Sequence, residues 1–324
     1  EQERVTTVTL SGDDTGADIR VSGWSWNLAR RVRRAASEHG CDLVHIQYQT
    51  GAFDMHPAAN LLPAMLGDLP VVTTFHDLRV PYLFPKAGRV RYAAMKRMAR
   101  SSDAVIVSNP VDANILVRAS IPVHEIRLGP SLPLPDRQVD PERSIGFFGY
   151  PSTQKGFDLL INALGRVPEA ERPRLVIIGR QPPTHGSHGF HSVETVRQMT
   201  ASRSIHVEWT GYLEPQEAIN RMASTGAVAF PFPAGATLRS SALIAALRCG
   251  RPVITVRPNP PGHLDVLEHM PNLLTVDATD PDLLVLAITQ ALERPSIRED
   301  LPDPFQWSTI ARKHRALYAD LVGT

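Results

Sequence analysis

Residues 227–256, AVAFPFPAGATLRSSALIAALRCGRPVITV, restrict the possible folds of this chain more than any other stretch. Four apolar residues read as the end of a buried strand and Pro and Gly mark a turn. A helix then opens at Ser240 or Ser241, Gly250 stops it, and a second strand begins at Pro252. In such a unit the first N–H groups of the helix carry partial positive charge and point into the crevice at the carboxyl end of a parallel sheet. That crevice suits an anion. Ser240 and Ser241 offer hydroxyl donors, Arg239 offers a planar fork matched to phosphate oxygens, and Gly235 leaves room for a ligand beside the backbone. An ordinary N-cap at Ser240 and a solvated Arg239 account for the same residues equally well.

The rest of the chain repeats the strand, loop, helix order. VTTVTL (5–10) reads as a strand and SGDDTGAD as a polar loop, in which Asp13 and Asp14 suit a solvated acidic loop better than a metal site. A helix over 25–39 carries Trp26, Ala29 and Val32 on one side, and DLVHIQYQ is a strand with a loop at 50–56. Residues 60–66 form a helix, VVTTF a strand delivering His76 and Asp77, residues 90–101 a basic helix and AVIVSN a strand. A helix over 111–119 and strand-like HEIRLG close this half. The Pro-rich stretch 130–143 has the composition of a linker. A second series follows: strand SIGFFG, loop YPSTQ, helix 156–165, strand RLVIIG, a His- and Gly-rich loop, helix 192–202, strand IHVEWTG and helix 215–223. After the opening stretch come strand LLTV, helix 281–292 and an amphipathic last helix with Trp307, Ile310, His314, Leu317 and Leu321 on one face.

Composition bounds the partners. At 324 residues, two domains are expected. A 43% hydrophobic and 21% charged chain with net charge +1 is an ordinary globular one with no general attraction for nucleic acid. Cys41 and Cys249 sit in apolar contexts in different halves, so no disulfide framework is expected and a reducing cytoplasm fits. No apolar run is long enough to span a bilayer, and the start lacks signal-peptide character.

FFGYPSTQKGFDLLINAL, LIAALRCGRPVIT and VVTTFHDL together resemble group 1 (family 4) glycosyltransferases of the GT-B fold. The likeness runs along the whole chain, including the F-x-W start of the last helix. Within the family, the chain most resembles a subgroup with a G-x-S-x-R-R/S-x-S-L donor-site loop and with HIQYQ and TFHDLRVPYLFPKAG in the first half. The resemblance implies an α/β fold of two Rossmann-like parallel-sheet domains facing across a cleft: an acceptor-side domain over 1–140 with its linker, a nucleotide-sugar domain over 141–305, and a C-terminal helix over 306–324 packing back towards the first. The fold normally begins with a further strand and Gly-rich loop, so the N-terminal domain is expected to be truncated. The resemblance also implies transfer of a sugar, with retention, from a nucleoside diphosphate sugar to a polysaccharide, lipid-linked or small-molecule acceptor, without metal or other cofactor.

By resemblance, Lys155 acts on the diphosphate and His76 lines the reaction centre; Arg239, Ser240 and Ser241 are the further candidates for the diphosphate, and Gly149, Gly235, Thr237 and Tyr212 those for lining the donor. Charge builds on the leaving diphosphate, so preorganised donors aimed at it are the largest catalytic contribution expected. Tyr212 suits stacking on a base and ordinary core packing equally; His76 also suits a structural role, and Lys155 a surface turn. Two family glutamates are missing, replaced by Thr237 and Ala245, and Tyr150 stands where the family carries Arg. A non-catalytic donor-binding protein, and more remotely a nucleotide-sugar epimerase, therefore stay open as alternatives. His185, His188 and His191 have zinc-like spacing without a Cys or carboxylate partner in the run, which favours no metal. The helix bearing Arg89, Arg91, Lys96, Arg97 and Arg100 suits peripheral contact with the inner face of an anionic membrane, with Tyr92, Met95 and Met98 turned to the core.

Overall fold

The computed structural model describes residues 5–12, 16–76, 78, 88–137, 139–182, 189–259, 264–277 and 280–323. The chain divides into two compact units, residues 1–127 with 307–324 and residues 128–306.

The first unit holds β1 (Leu10–Ser11), β2 (Ile19–Arg20), α1 (Leu28–Glu38), β3 (Val44–Tyr48), α2 (Ala58–Met65), β4 (Val71–Phe75), α3 (Gly88–Arg100), β5 (Ala104–Val107), α4 (Pro110–Val117) and β6 (His124–Glu125). Strands β3, β4, β5 and β6 form one parallel sheet in sequence order. One face of it, with Ile46, Tyr48, Phe75 and Val107, packs on α1, α2 and α3 through Leu28, Leu62 and Met98. On the other face Val72 and Ile106 meet Ile310 and Leu317 of α10 (Trp307–Val322). Trp307, expected on the buried face of that helix, is 57% exposed because it stands at the first turn, ahead of the contact. The expected strand over 5–10 is mostly absent: only Leu10–Ser11 pairs, with Ile19–Arg20. Its alternating side chains find no buried face, and Thr9 bonds the Asp18 carboxylate through its N–H and hydroxyl instead, both at 2.8 Å.

The second unit holds β7 (Glu142–Phe148), α5 (Phe157–Arg166), β8 (Arg174–Ile178), α6 (Val193–Ala201), β9 (Val207–Trp209), α7 (Pro215–Ala223), β10 (Thr225–Phe230), α8 (Ser241–Arg248), β11 (Val253–Val256), β12 (Leu273–Val276) and α9 (Pro281–Glu293). Its six parallel strands run β12-β11-β10-β7-β8-β9. Strand order therefore reverses between β7 and β10, which makes their carboxyl ends a topological switch point, where ligands of open α/β sheets bind. Helices α7 and α8 cover one face and α5, α6 and α9 the other. Local chemistry sets the helix starts: Ser192, Ser240 and Asp280 each accept a first-turn N–H, and Pro215 and Pro281 occupy first-turn positions.

The Pro-rich stretch is not an open linker over its described part. Leu132 is buried in the second unit's core, Ser131 N–H donates to the Ser241 carbonyl, Gln216 donates to the Leu134 carbonyl, and the buried Arg251 reaches the Val139 carbonyl. Cys249 is buried there as a free thiol, pushed up to about 11 by desolvation, and is chemically quiet.

Candidate active site

The second unit gathers its candidate residues at the switch point. Strand β7 ends at Phe148, and Gly149 follows with φ +93°, its N–H donating to Ile178 at 2.8 Å. A Cβ on Gly149 would overlap the Lys155 ammonium, so this glycine makes the space that the ammonium fills. Lys155 itself ends a short 3-10 turn, Thr153–Lys155, whose cap is the Ser152 hydroxyl, accepting from Lys155 N–H at 3.2 Å. Gly156 then turns left-handed at φ +72° and starts α5 against the end of β10, where a Cβ would overlap the Pro231 carbonyl. This contact joins the two loops that carry the candidate site.

The Lys155 side chain is partly buried, and among the described residues no carboxylate lies within ion-pair distance of it. Burial holds its ammonium below the usual lysine value. A desolvated cation without a counter-charge is costly in the free protein and favourable once an anion arrives. Lys155 thus ends a turn, as the surface-turn alternative has it, but its side chain is partly buried rather than solvated.

On the β10 side, Ser240 is the N-cap of α8, its hydroxyl accepting from Leu243 N–H at 3.2 Å. Both readings of Ser240 are compatible with this, since the hydroxyl proton remains for a ligand. The N–H groups of Ser241 and Ala242 make no hydrogen bond among the described residues and stand at the positive end of α8. Arg239 and Thr237 are half-buried immediately before the cap, and the Thr237 carbonyl accepts from Ser240 N–H at 3.2 Å. Gly235 needs correction. The room it leaves is taken by the chain itself, with Pro258 Cα at 2.5 Å and the Arg257 carbonyl at 2.9 Å from the position of a Cβ, not kept for a ligand. Ala245, at the position of a family glutamate, is a wholly buried residue of α8 whose methyl group packs in the core.

Tyr212 is not core packing. It is 55% exposed, with the Arg180 guanidinium 4.2 Å from its ring centroid. Gly179 and Gly211, which precede the pair, form an isolated bridge at the ends of β8 and β9. Sequence reasoning missed Arg180; its place directly after the strand RLVIIG was the available signal. Tyr150 lies 5.0 Å from the Phe190 ring. His191 is tied to Asp158 at 2.9 Å, a bond that leaves its ring structural, and His185 and His188 lie outside the described residues, as do Asp13, Asp14 and Asp77. A groove of about 640 Å³ lined by Leu159, Asn162, Arg203 and Asp280 contains none of the candidate residues.

In the first unit His76 directly follows β4, its N–H donating to Tyr48 at 3.1 Å and its Nε2 2.7 Å from Gln47 Oε1. Burial lowers its basicity, which keeps the ring neutral near pH 7. His45, two residues before Gln47, is held at both ring nitrogens by Thr74 and Tyr318. Desolvation, then His314 and His76, push it down to about 4. Its folded value is depressed below the ordinary 6.5, so the unfolded chain binds the extra proton between these values and stability falls as pH drops through that window. Urea unfolding of wild type is expected to lose roughly 2 kcal/mol between pH 7 and pH 4.5 from this group, and His45→Gln to show a correspondingly flatter pH dependence. An equal slope in both would contradict the assignment.

Two parallel-sheet units in one chain, the second with a cation and a helix N-terminus gathered at its switch point, make an α/β scaffold suited to an anionic ligand. The comparisons agree. The profile of the Glycosyl transferase 4-like domain matches residues 14–131, and that of Glycosyl transferases group 1 matches residues 142–294. The chain belongs to the group 1 glycosyltransferases of GT-B fold. No curated protein sequence matches it. Among solved structures, sucrose-phosphate synthase from Thermosynechococcus elongatus superposes with TM-score 0.66 at 18% identity, covering 91% of this chain and 77% of that one. HepE from Anabaena in complex with UDP-glucose gives TM-score 0.59 at 20% identity, with coverage of 91% and 78%. A glycosyltransferase from Rickettsia africae gives 0.63 at 14%, with coverage of 97% and 89%. These likenesses establish the fold. Among the described residues no helix is long and apolar enough to cross a membrane.

Proposed function

We propose that the protein transfers a sugar, with retention, from a nucleoside diphosphate sugar to a carbohydrate or lipid-linked acceptor, and that cationic side chains rather than a metal hold the diphosphate. The observation that carries this reading is the Lys155 ammonium, desolvated beside Gly149 at the switch point and without a described carboxylate partner. In the proposed site Lys155, Arg239, Ser240 and Ser241 bind the diphosphate together with the free N–H groups of α8. Thr237 lines the donor beside them, and Tyr212 with Arg180 takes the base. Stabilising charge on the leaving phosphate is what this set of donors does best. In a retaining transfer the leaving phosphate takes the acceptor proton on the same face, so no carboxylate pair is required. His76 is assigned a hydrogen bond to the sugar in transfer. The exposed Arg89, Arg97 and Arg100 of α3 support contact with an anionic membrane that carries a lipid-linked acceptor.

The two family glutamates replaced here by Thr237 and Ala245 favour a second reading, a donor-binding protein without turnover. A melting-temperature screen with UDP-glucose, GDP-mannose and ADP-glucose, followed by an assay for nucleoside diphosphate release, separates the two. Catalysis predicts a raised melting temperature for at least one donor and release of its nucleoside diphosphate, with the anomeric configuration of the sugar unchanged by NMR. A shift without release would leave the binding reading, and epimerised donor without acceptor would mean epimerase chemistry.

A further inference from the structure

The sequence pattern H-x-Q on β3 and T-x-H across the end of β4 places four polar side chains on one face of the first unit's sheet, because alternate strand residues share a face. The register confirms the juxtaposition: Gln47 is paired with Thr74 and Tyr48 with Phe75, so His45, Gln47, Thr74 and His76 line up on the face that α10 covers. They are bonded in series. His45 is anchored through Nδ1 to the Tyr318 hydroxyl of α10 and through Nε2 to Thr74 Oγ1 at 2.7 Å. The Gln47 amide nitrogen stands 3.2 Å from His45 Nε2, and its carbonyl oxygen 2.7 Å from His76 Nε2.

The direction of these bonds decides the state of His76. A carbonyl oxygen only accepts, so the hydrogen must sit on His76 Nε2, and a neutral ring then leaves Nδ1 as an acceptor. With its amide nitrogen donating towards the anchored His45, the Gln47 side chain is held in the orientation that presents its oxygen to His76. We infer that Gln47, backed by His45, is a positioning residue that fixes His76 in the Nε2–H tautomer and so turns Nδ1 into the acceptor for a sugar hydroxyl. The functional half of this rests on the placement of His76 at the reaction centre; the tautomer does not.

The test uses the full chain labelled with 15N at histidine and long-range 1H–15N correlation spectra at pH 8, the His76 signals being assigned by their absence in His76→Asn. Wild type is expected to show a single Nε2–H pattern for His76. Gln47→Leu, at an exposed position that leaves the sheet intact, is expected to give a mixture of both tautomers, and Gln47→Glu, which still accepts at that point, to restore the single pattern. In parallel, Gln47→Leu should lower kcat for nucleoside diphosphate release, from whichever of UDP-glucose, GDP-mannose and ADP-glucose wild type turns over, roughly tenfold with KM changed less than about twofold. An Nδ1–H ring in wild type, or an unchanged single tautomer in Gln47→Leu, overturns the inference. Wild-type turnover in His76→Ala would instead remove His76 from the reaction while leaving the tautomer result standing, so the two failures are told apart.

Discussion

Lys155→Ala is expected to bind a nucleoside diphosphate ten- to a hundredfold more weakly than wild type and to release it from a sugar donor correspondingly more slowly. A charge-assisted hydrogen bond from a desolvated cation contributes about 1.5–3 kcal/mol, and each 1.4 kcal/mol is a tenfold change. The same substitution has a second signature of opposite sign. In the free protein the ammonium is buried beside Gly149 without a described carboxylate, and its lowered basicity reports that its charged form is disfavoured there. Lys155→Met should therefore be at least as stable as wild type towards urea while binding worse, since a thioether fills the same space without a charge to desolvate. A lysine that merely held the fold together would show the reverse. The direction of the shift also fixes a pH dependence. Diphosphate binding by wild type should weaken as pH rises through a range below the usual 10.5, because the ammonium loses its proton earlier than a solvated lysine, and this inflection should be absent in Lys155→Met. A titration identical in both would contradict the assignment.

Gly156→Ala is expected to cost the second unit on the order of 2–5 kcal/mol of stability. Its φ of +72° is left-handed, which an L side chain adopts at a cost of about 1–2 kcal/mol. The Pro231 carbonyl occupies the place of the added methyl, and forcing an atom into a packed contact adds about 1–3 kcal/mol. Because the contact is between the loop after β7 and the loop after β10, the backbone shift that relieves it separates Lys155 from the start of α8. Urea denaturation should show a lower midpoint, and diphosphate binding measured well below that midpoint should be weaker too. By comparison Gly189→Ala, where a Cβ meets nothing within 4 Å at a similar φ of +72°, carries the backbone cost alone. Equal losses at the two positions would mean that the Pro231 approach has no energetic weight.

The organisation of the fold was legible because its signals are local and redundant. The helix from Ser241, the strand LLTV and the helix opening at Pro215 lie where caps, glycine stops and apolar runs put them. The stretch 5–10 misled because alternation alone does not make a strand; a partner and a buried face are needed, and the structure supplies them only from Leu10. Proline content suggested a linker over 130–143, yet Leu132 and the carbonyls of Leu134 and Val139 are bound by the second unit, contacts that depend on residues such as Gln216 and Arg251 far along the chain.

The candidate site was legible in its cations and caps but not in its spacing. Nothing in QKG announces that Gly149 makes the room for the Lys155 ammonium, or that Gly156 is pressed on Pro231, since both are contacts between separate loops. Gly235 was read as space for a ligand because a glycine's missing side chain looks the same whatever fills the gap; here the backbone of Arg257 and Pro258 fills it. Arg180 escaped notice because its partner Tyr212 lies on a different strand end. His45 and Gln47 were visible within HIQYQ, but their bonds to His76 and Tyr318 follow only from the β3–β4 register and the seating of α10.

The central claim is that the switch point of the second unit, with Lys155 at its edge, binds the diphosphate of a sugar donor. Calorimetric titration of UDP, GDP and ADP into the full chain, wild type and Lys155→Ala, tests it most directly. At least one of the three should bind wild type and bind Lys155→Ala ten- to a hundredfold more weakly. Equal affinity for both proteins, or no binding of any of the three to wild type, would contradict it.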